Sequence, residues 1–318
     1  MKSSSKSSNI GSGRVLTFTA IALAVTYFIK QVSGVNQLEY RYLLPIIPLV
    51  LLNIAAGSLR LKLMLHLFDI DLAVKESVDL TILSTFGNHF LPLRGGAGFR
   101  AYYLKKRHMF PYPSFIATMA GVYVIEILVY SICGIGGLIL LMGFRQAIES
   151  PILLFLTILS LSTILFLLFK PKIEVKNKIG GYLQSANQGL TSIFSDKKAL
   201  IFLILLEFGF VLINVFRFSL VLKALKLDVG FTSALLYSVA SMLSMLVNLT
   251  PASIGIREGI VGLTSKYLGG GLLGGVLAGS LDRMMSIIVI LTLTPSSSHK
   301  ILKQYLNEKK RGKLIRGI

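Results

Sequence analysis

Apolar runs long enough to cross a lipid bilayer recur along the whole chain. A crossing helix needs about 20 mostly apolar residues. Hydrophobic residues make up 53% of the 318 residues and charged residues only 15%, whereas soluble domains carry about 25% charged residues. Strands of a transmembrane barrel would alternate apolar and polar residues, and these runs do not. The sequence therefore predicts an all-α, polytopic membrane protein with about six full spans: Val15–Ile29, Tyr42–Leu59, Ser114–Gly143, Pro151–Phe169, Ala199–Leu222 and Gly271–Thr294.

Two polar stretches interrupt this pattern. Asn88–Arg100 reads NHFLPLRGGAGFR, and Asn248–Glu258 reads NLTPASIGIRE. The first ends the moderately apolar run Val78–Leu91, which is too short to span, and the second ends the moderately polar run Thr232–Leu249, which is rich in Ser and Met. Proline and glycine disfavour a continuous helix, and irregular backbone at membrane depth is tolerated only inside protein or beside a wet cavity. We therefore predict two re-entrant segments that meet at a cavity, giving about eight membrane segments in all.

The two halves of the chain resemble each other. LNIAAGSLRLK at Leu52–Lys62 lines up with INVFRFSLVLK at Ile213–Lys223, and the offset between matched residues stays between 157 and 161. Chance similarity of leucine-rich helices is the alternative, but the order of the polar matches favours an internal duplication. The matched pairs are Asn53 with Asn214, Ser58 with Ser219, Lys62 with Lys223, Asp71 with Asp228, Asn88 with Asn248, Pro92 with Pro251 and Ala120-Gly121 with Ala278-Gly279.

The charge distribution predicts the orientation of these segments. The net charge is +19, and the basic residues cluster in loops and tails. Because Lys and Arg accumulate in cytoplasmic loops, we place Arg94–Arg107, Lys170–Lys198 and both termini on the cytoplasmic side. That placement requires the two short runs to enter and return from opposite faces, which makes the repeat inverted, as in many secondary transporters. The predicted location is the cell (cytoplasmic or inner) membrane.

The same pattern divides the chain into four parts. We predict a disordered basic tail at residues 1–13, a first membrane repeat at 14–146, a second repeat at 147–296 and a basic cytoplasmic tail at 297–318. No basic surface interleaved with aromatic residues is present, so a nucleic-acid partner is not expected. The excess positive charge instead indicates contact with anionic lipid headgroups.

Several charged residues fall near the membrane interior, where charges are costly and usually functional. Glu126 lies near the middle of its span, and Asp282 and Arg283 lie at a comparable depth in the last one. Arginine can grip a phosphate with two hydrogen bonds, and glycine-rich turns expose backbone amides to anions. The predicted substrate-binding residues are Asn88, Arg94, Gly95, Gly96, Arg100, Glu126, Asn248, Arg257, Glu258, Asp282 and Arg283.

A structural interpretation of these charges stays open. Glu126 could simply neutralise an arginine and lock the two halves together. For Glu207 and Arg217 this interpretation is favoured, because Arg217 lies near a helix end and could extend to the interface. His89 is interpreted as a structural, hydrogen-bonded residue.

The sequence carries no signature of an enzyme. The four histidines lack metal-ligand spacing, and the glycine-rich stretch is not a dinucleotide fingerprint, because no strand precedes it. Glu126 and Glu258 could form a paired-carboxylate site, but no set of nucleophile and base is readable. Cys133 is the single cysteine and is interpreted as a small buried apolar residue. We expect no metal, no cofactor and no catalytic residue.

The polar motifs resemble those of a known family. The chain resembles the membrane domain of lysylphosphatidylglycerol synthase/flippase proteins and their stand-alone YbhN-like relatives. The features that carry the resemblance are N-x3-P-x-R-G-G-x-G-x-R at Asn88–Arg100, Glu126, N-x2-P-x3-G-x-R-E at Asn248–Glu258 and the Asp282–Arg283 pair. The resemblance covers about residues 15–295. It implies an integral membrane protein, one that in the best-understood members moves aminoacylated phospholipid between leaflets. Related domains accompany polyprenyl-phosphate sugar chemistry.

Two functions follow as hypotheses. The first is a lipid flippase or transporter that moves a phospholipid or polyprenyl-phosphate-type lipid through a charged central cavity. The alternative is a membrane-embedded enzyme, or an accessory subunit, of lipid or glycolipid modification. Only a basic tail of about 20 residues follows the last span, so the aminoacyl-transferase domain of the synthases is not expected and neither is lysyl-lipid synthesis. Membrane lipids are the predicted partners, and a second copy of the chain or a membrane enzyme stays open as a protein partner.

Overall fold

A computed structural model describes residues 38–91, 94–169, 190–191, 193–227, 230–244 and 253–310, with side chains as far as residue 301. Ten α-helices account for most of these ranges, and no strand occurs within them. A short 3-10 helix, Tyr40–Tyr42, precedes the first α-helix. The α-helices are α1 (Ile46–His66), α2 (Val74–Phe90), α3 (Gly95–His108), α4 (Tyr112–Met142), α5 (Phe144–Ile148), α6 (Pro151–Phe169), α7 (Lys197–Ala224), α8 (Phe231–Ser244), α9 (Ile256–Tyr267) and α10 (Leu272–Lys310).

Five segments are long and apolar enough to cross a membrane, which confirms the prediction of a multi-pass, all-α membrane protein. The predicted first span, Val15–Ile29, lies outside the described residues. The first of the five continues to His66 instead of ending at Leu59, so Arg60 lies within its helix rather than at the end. The five are Tyr40–His66, Tyr112–Met142, Pro151–Phe169, Lys197–Ala224 and Leu272–Ile301.

Local sequence signals define where these helices begin. Asp196 caps α7, because its Oδ1 accepts hydrogen bonds of 3.0 Å from the backbone amides of Lys198 and Ala199. Such a cap satisfies amides that have no partner inside the helix. Helix α4 begins directly after Pro111 and has Pro113 in its first turn, where a missing amide donor matters least.

Helices α2 and α3 form an antiparallel hairpin. Glu76 at the start of α2 contacts His108 at the end of α3, with Oε1 2.9 Å from Nε2. Nearer the tip, Arg100 donates through Nε to Ser84 Oγ at 3.1 Å. The two backbones approach so closely at Gly96 that a Cβ there would overlap the carbonyl oxygen of Ser84. A residue at position 96 with any side chain would therefore force the two helices apart.

A second hairpin, formed by α8 and α9, repeats the main features of the first. Arg257 donates through Nε to Ser241 Oγ at 2.6 Å, and the two residues are 16 positions apart, as are Ser84 and Arg100. Gly255 precedes α9 with a φ of +84°, a backbone conformation that glycine adopts readily. Its amide donates to Glu258 Oε2 at 2.9 Å, which closes the first turn of α9. The residues between α8 and Ser253, including Asn248 and Pro251, lie outside the described ranges.

Helices α1 and α7 lie antiparallel in the centre of the molecule. The amide of Glu39, just before α1, donates to the carbonyl of Ala224 at the end of α7, at 2.9 Å. Asn53 and Asn214, which the sequence repeat pairs with each other, meet halfway along at 3.4 Å. Arg60 near the end of α1 contacts Glu207 early in α7 at 2.6 Å. Contacts at the two ends and in the middle fix the relative direction of these helices.

Apolar side chains cover the outside of the molecule as well as its core. Helix α6 exposes Leu154, Phe155 and Phe169, each by more than half of its surface. Exposed apolar patches of this extent mark a membrane-facing or partner-facing surface. The interior is also apolar, and its largest fully buried side chains include Tyr237 and Phe218.

A polar cluster closes the open end of the first hairpin. Tyr103 donates to Glu76 Oε1 at 2.7 Å, and Arg107 Nε lies 3.0 Å from the same oxygen. Burial would raise the pKa of Glu76, but hydrogen bonds to His108 and Tyr103 and the charge of Arg107 outweigh it and lower the pKa. Burial and the hydrogen bond to Glu76 raise the pKa of Tyr103. The ionised carboxylate therefore ties the two ends of the hairpin together.

Candidate functional site

A cavity of about 330 Å³ lies between the central helices and the two hairpins. Side chains from α1, α2, α3, α4, α7, α8, α9 and α10 line it. Five of them are arginines and two are carboxylates, so the lining carries an excess of positive charge. These charged residues are Arg60, Arg94, Arg100, Arg217, Arg257, Glu126 and Asp282.

One charge cluster joins α1, α4 and α7. Arg60 Nη1 lies 2.7 Å from Glu126 Oε1 and 2.6 Å from Glu207 Oε1. The guanidinium also lies over the ring of Phe210, 4.6 Å from its centroid, an arrangement that favours a cation. One arginine thus binds two carboxylates at a single nitrogen.

A second cluster joins α7, α9 and α10. Asp282 accepts from two arginines, with Arg217 Nη2 2.7 Å from Oδ1 and Arg257 Nη2 2.5 Å from Oδ2. All three side chains are less than a tenth exposed. One carboxylate thus binds two arginines, which is the reverse of the first cluster. Arg217 corresponds in role to Arg60, because each joins a central helix to the carboxylate of a long helix that follows a hairpin.

The first hairpin supplies the remaining charged lining. Arg100 donates both Nε and Nη2 to Ser84 Oγ, and no carboxylate lies within ion-pair distance of it among the described residues. Arg94 begins α3 in the left-handed conformation, with φ 53°, and lies over Tyr123 at 4.8 Å from the ring centroid. Asn88 Oδ1 accepts from the backbone amide of Ala97 at 3.0 Å. The side chain of Asn88 thereby holds the first turn of α3 beside the cavity.

The structure places the residues predicted for the site in three groups. Six line the cavity: Asn88, Arg94, Arg100, Glu126, Arg257 and Asp282. Four are not part of the lining: Gly95, Gly96, Glu258 and Arg283. Glu258 and Arg283 pair with each other at 3.0 Å, and Gly96 allows the close contact of α2 with α3. Asn248 lies outside the described residues.

The paired-carboxylate alternative for Glu126 and Glu258 has no support in these contacts. Each carboxylate binds a different arginine, Arg60 for Glu126 and Arg283 for Glu258. Glu126 shares its arginine with Glu207 instead. The structural interpretation of Glu126, that it neutralises an arginine, therefore describes one of its contacts.

Arg217 differs from its prediction. We expected this side chain to extend towards the interface, but it is 6% exposed and points into the protein, where it binds Asp282 and Ser286. The physical reason is electrostatic. A buried Asp282 needs compensating charge, and Arg217 lies on the adjacent helix α7 within its reach.

Sequence reasoning missed four further cavity residues. The sequence predicts that Arg60 ends a span and does not assign Asn53, Asn214 or His89 to the site, yet all four line the cavity. One signal could have identified Arg60, because Glu126 and Glu207 are two carboxylates in apolar runs with no assigned cation. The Asn53–Asn214 pair could have been identified because the repeat already matched these residues.

Histidine, cysteine and carboxylate side chains are the candidate metal ligands in the described part of the chain. Within it, no group of three or more histidine, cysteine or carboxylate side chains is arranged to hold a metal ion. His66, His89 and His108 lie on different segments, with His66 beside Asp71 and His108 beside Glu76. The candidate site is therefore characterised by its arginines.

These features define a class of protein, a helical membrane protein with an arginine-rich cavity enclosed by its spans and by two short helical hairpins. A comparison with family models identifies the family, since the lysylphosphatidylglycerol synthase TM region model matches residues 13–293. The chain belongs to that family. No curated protein and no solved structure shows significant similarity to the chain.

Proposed function

We propose that this protein is a lipid transporter that binds an anionic lipid headgroup in the arginine-lined cavity and moves it between leaflets. The observation that carries the proposal is the cavity itself, which places five arginines against two carboxylates among membrane-crossing helices. Its volume of about 330 Å³ is within the usual range for small-ligand sites, about 300–1,000 Å³. Phosphodiester and phosphate headgroups are the anions that arginine binds best.

The two hairpins are proposed to be re-entrant. Helices α2 and α3 have 17 and 14 residues, and α8 and α9 have 14 and 12. At about 1.5 Å per residue, none reaches the roughly 30 Å of a hydrocarbon core. The contact of Glu76 with His108 keeps both ends of the first hairpin together, as a segment that enters and leaves by one face requires.

The repeats are proposed to be inverted. Equivalent helices of an inverted pair run in opposite directions, whereas those of a parallel repeat run in the same direction. Helices α1 and α7 are the equivalent pair in the sequence, and they lie antiparallel, with Asn53 against Asn214 at the midpoint. Alternating exposure of the two hairpins would then present the same cavity to each face, with both termini on the cytoplasmic side.

Cysteine labelling tests this topology. In a Cys133→Ala background, a cysteine introduced as Lys106→Cys, at an exposed position of α3, should react with an impermeant thiol reagent only from the cytoplasmic side. The matched variant Gln146→Cys, at an exposed position of α5, should react only from outside, because α4 crosses between them. Labelling of Lys106→Cys from outside and of Gln146→Cys from the cytoplasmic side would contradict the re-entrant arrangement, because the first hairpin would then cross the membrane.

Leaflet exchange of a labelled phosphatidylglycerol in proteoliposomes tests the transport function. The wild-type protein should exchange the lipid faster than protein-free liposomes. The double variant Arg100→Ala, Arg257→Ala should lose most of this rate, because it removes one arginine from each hairpin. Losing two charge-assisted contacts, each contributing about 1.5–3 kcal/mol, corresponds to a loss of about a hundredfold or more. The single variant Arg100→Ala retains the Arg257–Asp282 pair and separates loss of binding from loss of folding.

The control is Arg41→Ala, because the Arg41 side chain is 73% exposed and contacts its near neighbours Glu39 and Tyr42. It should exchange lipid at the wild-type rate. Unchanged exchange in the double variant would contradict the role of the cavity arginines. Mass spectrometry of the lipids distinguishes the alternative function, because an enzyme changes lipid composition whereas a transporter changes only the distribution between leaflets.

A further inference from the structure

The cluster of Arg60, Glu126 and Glu207 has more negative than positive charge. Glu207 is 1% exposed, and its Oε1 shares a single arginine nitrogen with Glu126. Its other oxygen, Oε2, is buried and has no hydrogen-bond partner among the described residues. With both carboxylates ionised, one guanidinium balances two charges and the cluster keeps a net charge of −1.

An uncompensated buried charge is unfavourable, and such groups take up a proton instead. Two carboxylates that share one site do not ionise independently, because each disfavours the charge of the other. Glu126 is the more accessible of the two, since about a quarter of its side chain is exposed and it lines the cavity. The negative charge on Glu207 is therefore less favourable than the charge on Glu126, and Glu207 is the carboxylate on which we expect the proton.

Two cations of the first hairpin also act on the cluster, Arg94 on Glu126 and Arg100 on Arg60, whereas the cation that pairs with Glu207 is Arg60. Tyr130 of α4 lies close enough to the cluster to interact with all three members, but a phenol supplies no positive charge. On α10, Asp282 is already bound to Arg217 and Arg257, and Arg283 is bound to Glu258. On other elements that pack against α7, Tyr237 lies against Phe218, and Tyr40, Arg41 and Tyr42 lie at the opposite end of the helix from Glu207.

We propose that Glu207 is a proton-binding site that couples uptake of one proton to binding of the anionic headgroup. A proton from cavity water adds to the carboxylate of Glu207 and converts it to the neutral acid, while Arg60 keeps its ion pair with Glu126. The proton raises the total charge around the cavity by one unit. Because Arg60, Arg94 and Arg100 line the same cavity, an anion then binds more tightly. By reciprocity, the bound anion favours the proton on Glu207.

This inference rests on the proposed transport function and can fail separately from it. Proteoliposomes are prepared at about pH 5.5 and about pH 8, because a buried carboxylate without full charge compensation should carry a proton at the lower value and lose it at the higher one. Wild-type exchange of labelled phosphatidylglycerol should be at least about fivefold faster at the lower pH, since coupled sites usually change affinity by about five- to 150-fold. Glu207→Gln, which resembles the protonated acid, should exchange at a rate close to the low-pH wild-type rate at both values.

Two further variants complete the experiment. Glu207→Asp retains a titratable group and should retain a pH response, whereas Glu149→Gln, a neutralisation at an exposed position, should behave as wild type. Equal wild-type rates at both pH values, or a wild-type pH response in Glu207→Gln, would overturn the proton site. Absence of wild-type exchange at both pH values would instead contradict the transport function.

A direct measurement covers the case in which Glu207→Gln does not fold. Detergent-solubilised wild-type protein in weak buffer should take up protons when phosphatidylglycerol is added, and Glu149→Gln should do the same. No proton uptake by the wild-type protein on lipid binding would overturn the proposal without any variant at position 207.

Discussion

Replacing Asp282 with asparagine should strongly destabilise the protein and abolish lipid exchange. The Asp282 carboxylate binds Arg217 through one oxygen and Arg257 through the other, and its side chain is only 2% exposed. Asparagine has nearly the same shape but no charge, so two buried guanidinium groups would lose their counterion. Breaking a buried ion pair by removing one partner costs about 3–5 kcal/mol, and here one substitution affects two pairs.

Thermal unfolding in a fixed detergent measures this effect. The matched control is Asp71→Asn, because the Asp71 side chain is 82% exposed and its contact with His66 is 3.4 Å long. Surface pairs of this kind contribute little, so the control should unfold at the wild-type temperature. If Asp282→Asn unfolded at the same temperature as Asp71→Asn, the cluster would not stabilise the protein as described.

The second large effect is expected for Gly96→Ala. A Cβ at Gly96 would overlap the Ser84 carbonyl oxygen and would lie 2.7 Å from the backbone nitrogen of Asn88. These are backbone atoms, so α2 and α3 must separate. Steric overpacking of this kind costs about 1–3 kcal/mol, occasionally more. The separation would also break the hydrogen bonds of Arg100 to Ser84, and lipid exchange should fall together with stability.

Gly98→Ala provides the matched control two residues further along α3. A Cβ at Gly98 would meet nothing within 4 Å, and alanine favours a helix over glycine by about 1 kcal/mol. Gly98→Ala should therefore unfold at the wild-type temperature or slightly above it. Equal unfolding temperatures for the two variants would show that the hairpin is not packed at Gly96, and would remove the basis for placing Arg100 beside the cavity.

Much of the fold could be predicted from the sequence because apolar length and charged ends are local signals. The segments Tyr112–Met142 and Pro151–Phe169 agree with their predicted bounds to within two residues at each end. The end of α1 was misplaced by seven residues, from Leu59 to His66. The charge at Arg60 resembles a helix end in sequence, but its two partners come from α4 and α7, which no local pattern reveals.

The site could be predicted in part for the same reason. Asn88, Arg94, Arg100, Glu126, Arg257 and Asp282 all lie at the cavity, because polar residues in an apolar chain are conspicuous. Their pairing could not be predicted, since it depends on which helices are neighbours. The sequence also could not distinguish Gly96, which allows close packing, from a glycine whose amide faces a ligand. Whether these residues bind substrate stays a prediction.

The two charge clusters make the two halves of the cavity differ in charge, which the sequence repeat alone does not indicate. Around Asp282, one carboxylate balances two arginines, whereas around Arg60, two carboxylates share one arginine. The two halves therefore match in position and differ in charge. A proton on Glu207 would bring the cluster of Arg60, Glu126 and Glu207 to neutrality, beside arginines that are proposed to bind the headgroup.

The central claim is that the cavity selects lipids by the negative charge of the headgroup. It is tested most directly by measuring leaflet exchange of labelled phosphatidylglycerol and labelled phosphatidylcholine in the same proteoliposomes, with wild-type protein and with Arg100→Gln. The account predicts faster exchange of phosphatidylglycerol by the wild-type protein, and a reduced or absent preference in the variant. Exchange of both lipids at the protein-free rate, or at equal rates in wild type and variant, would contradict it.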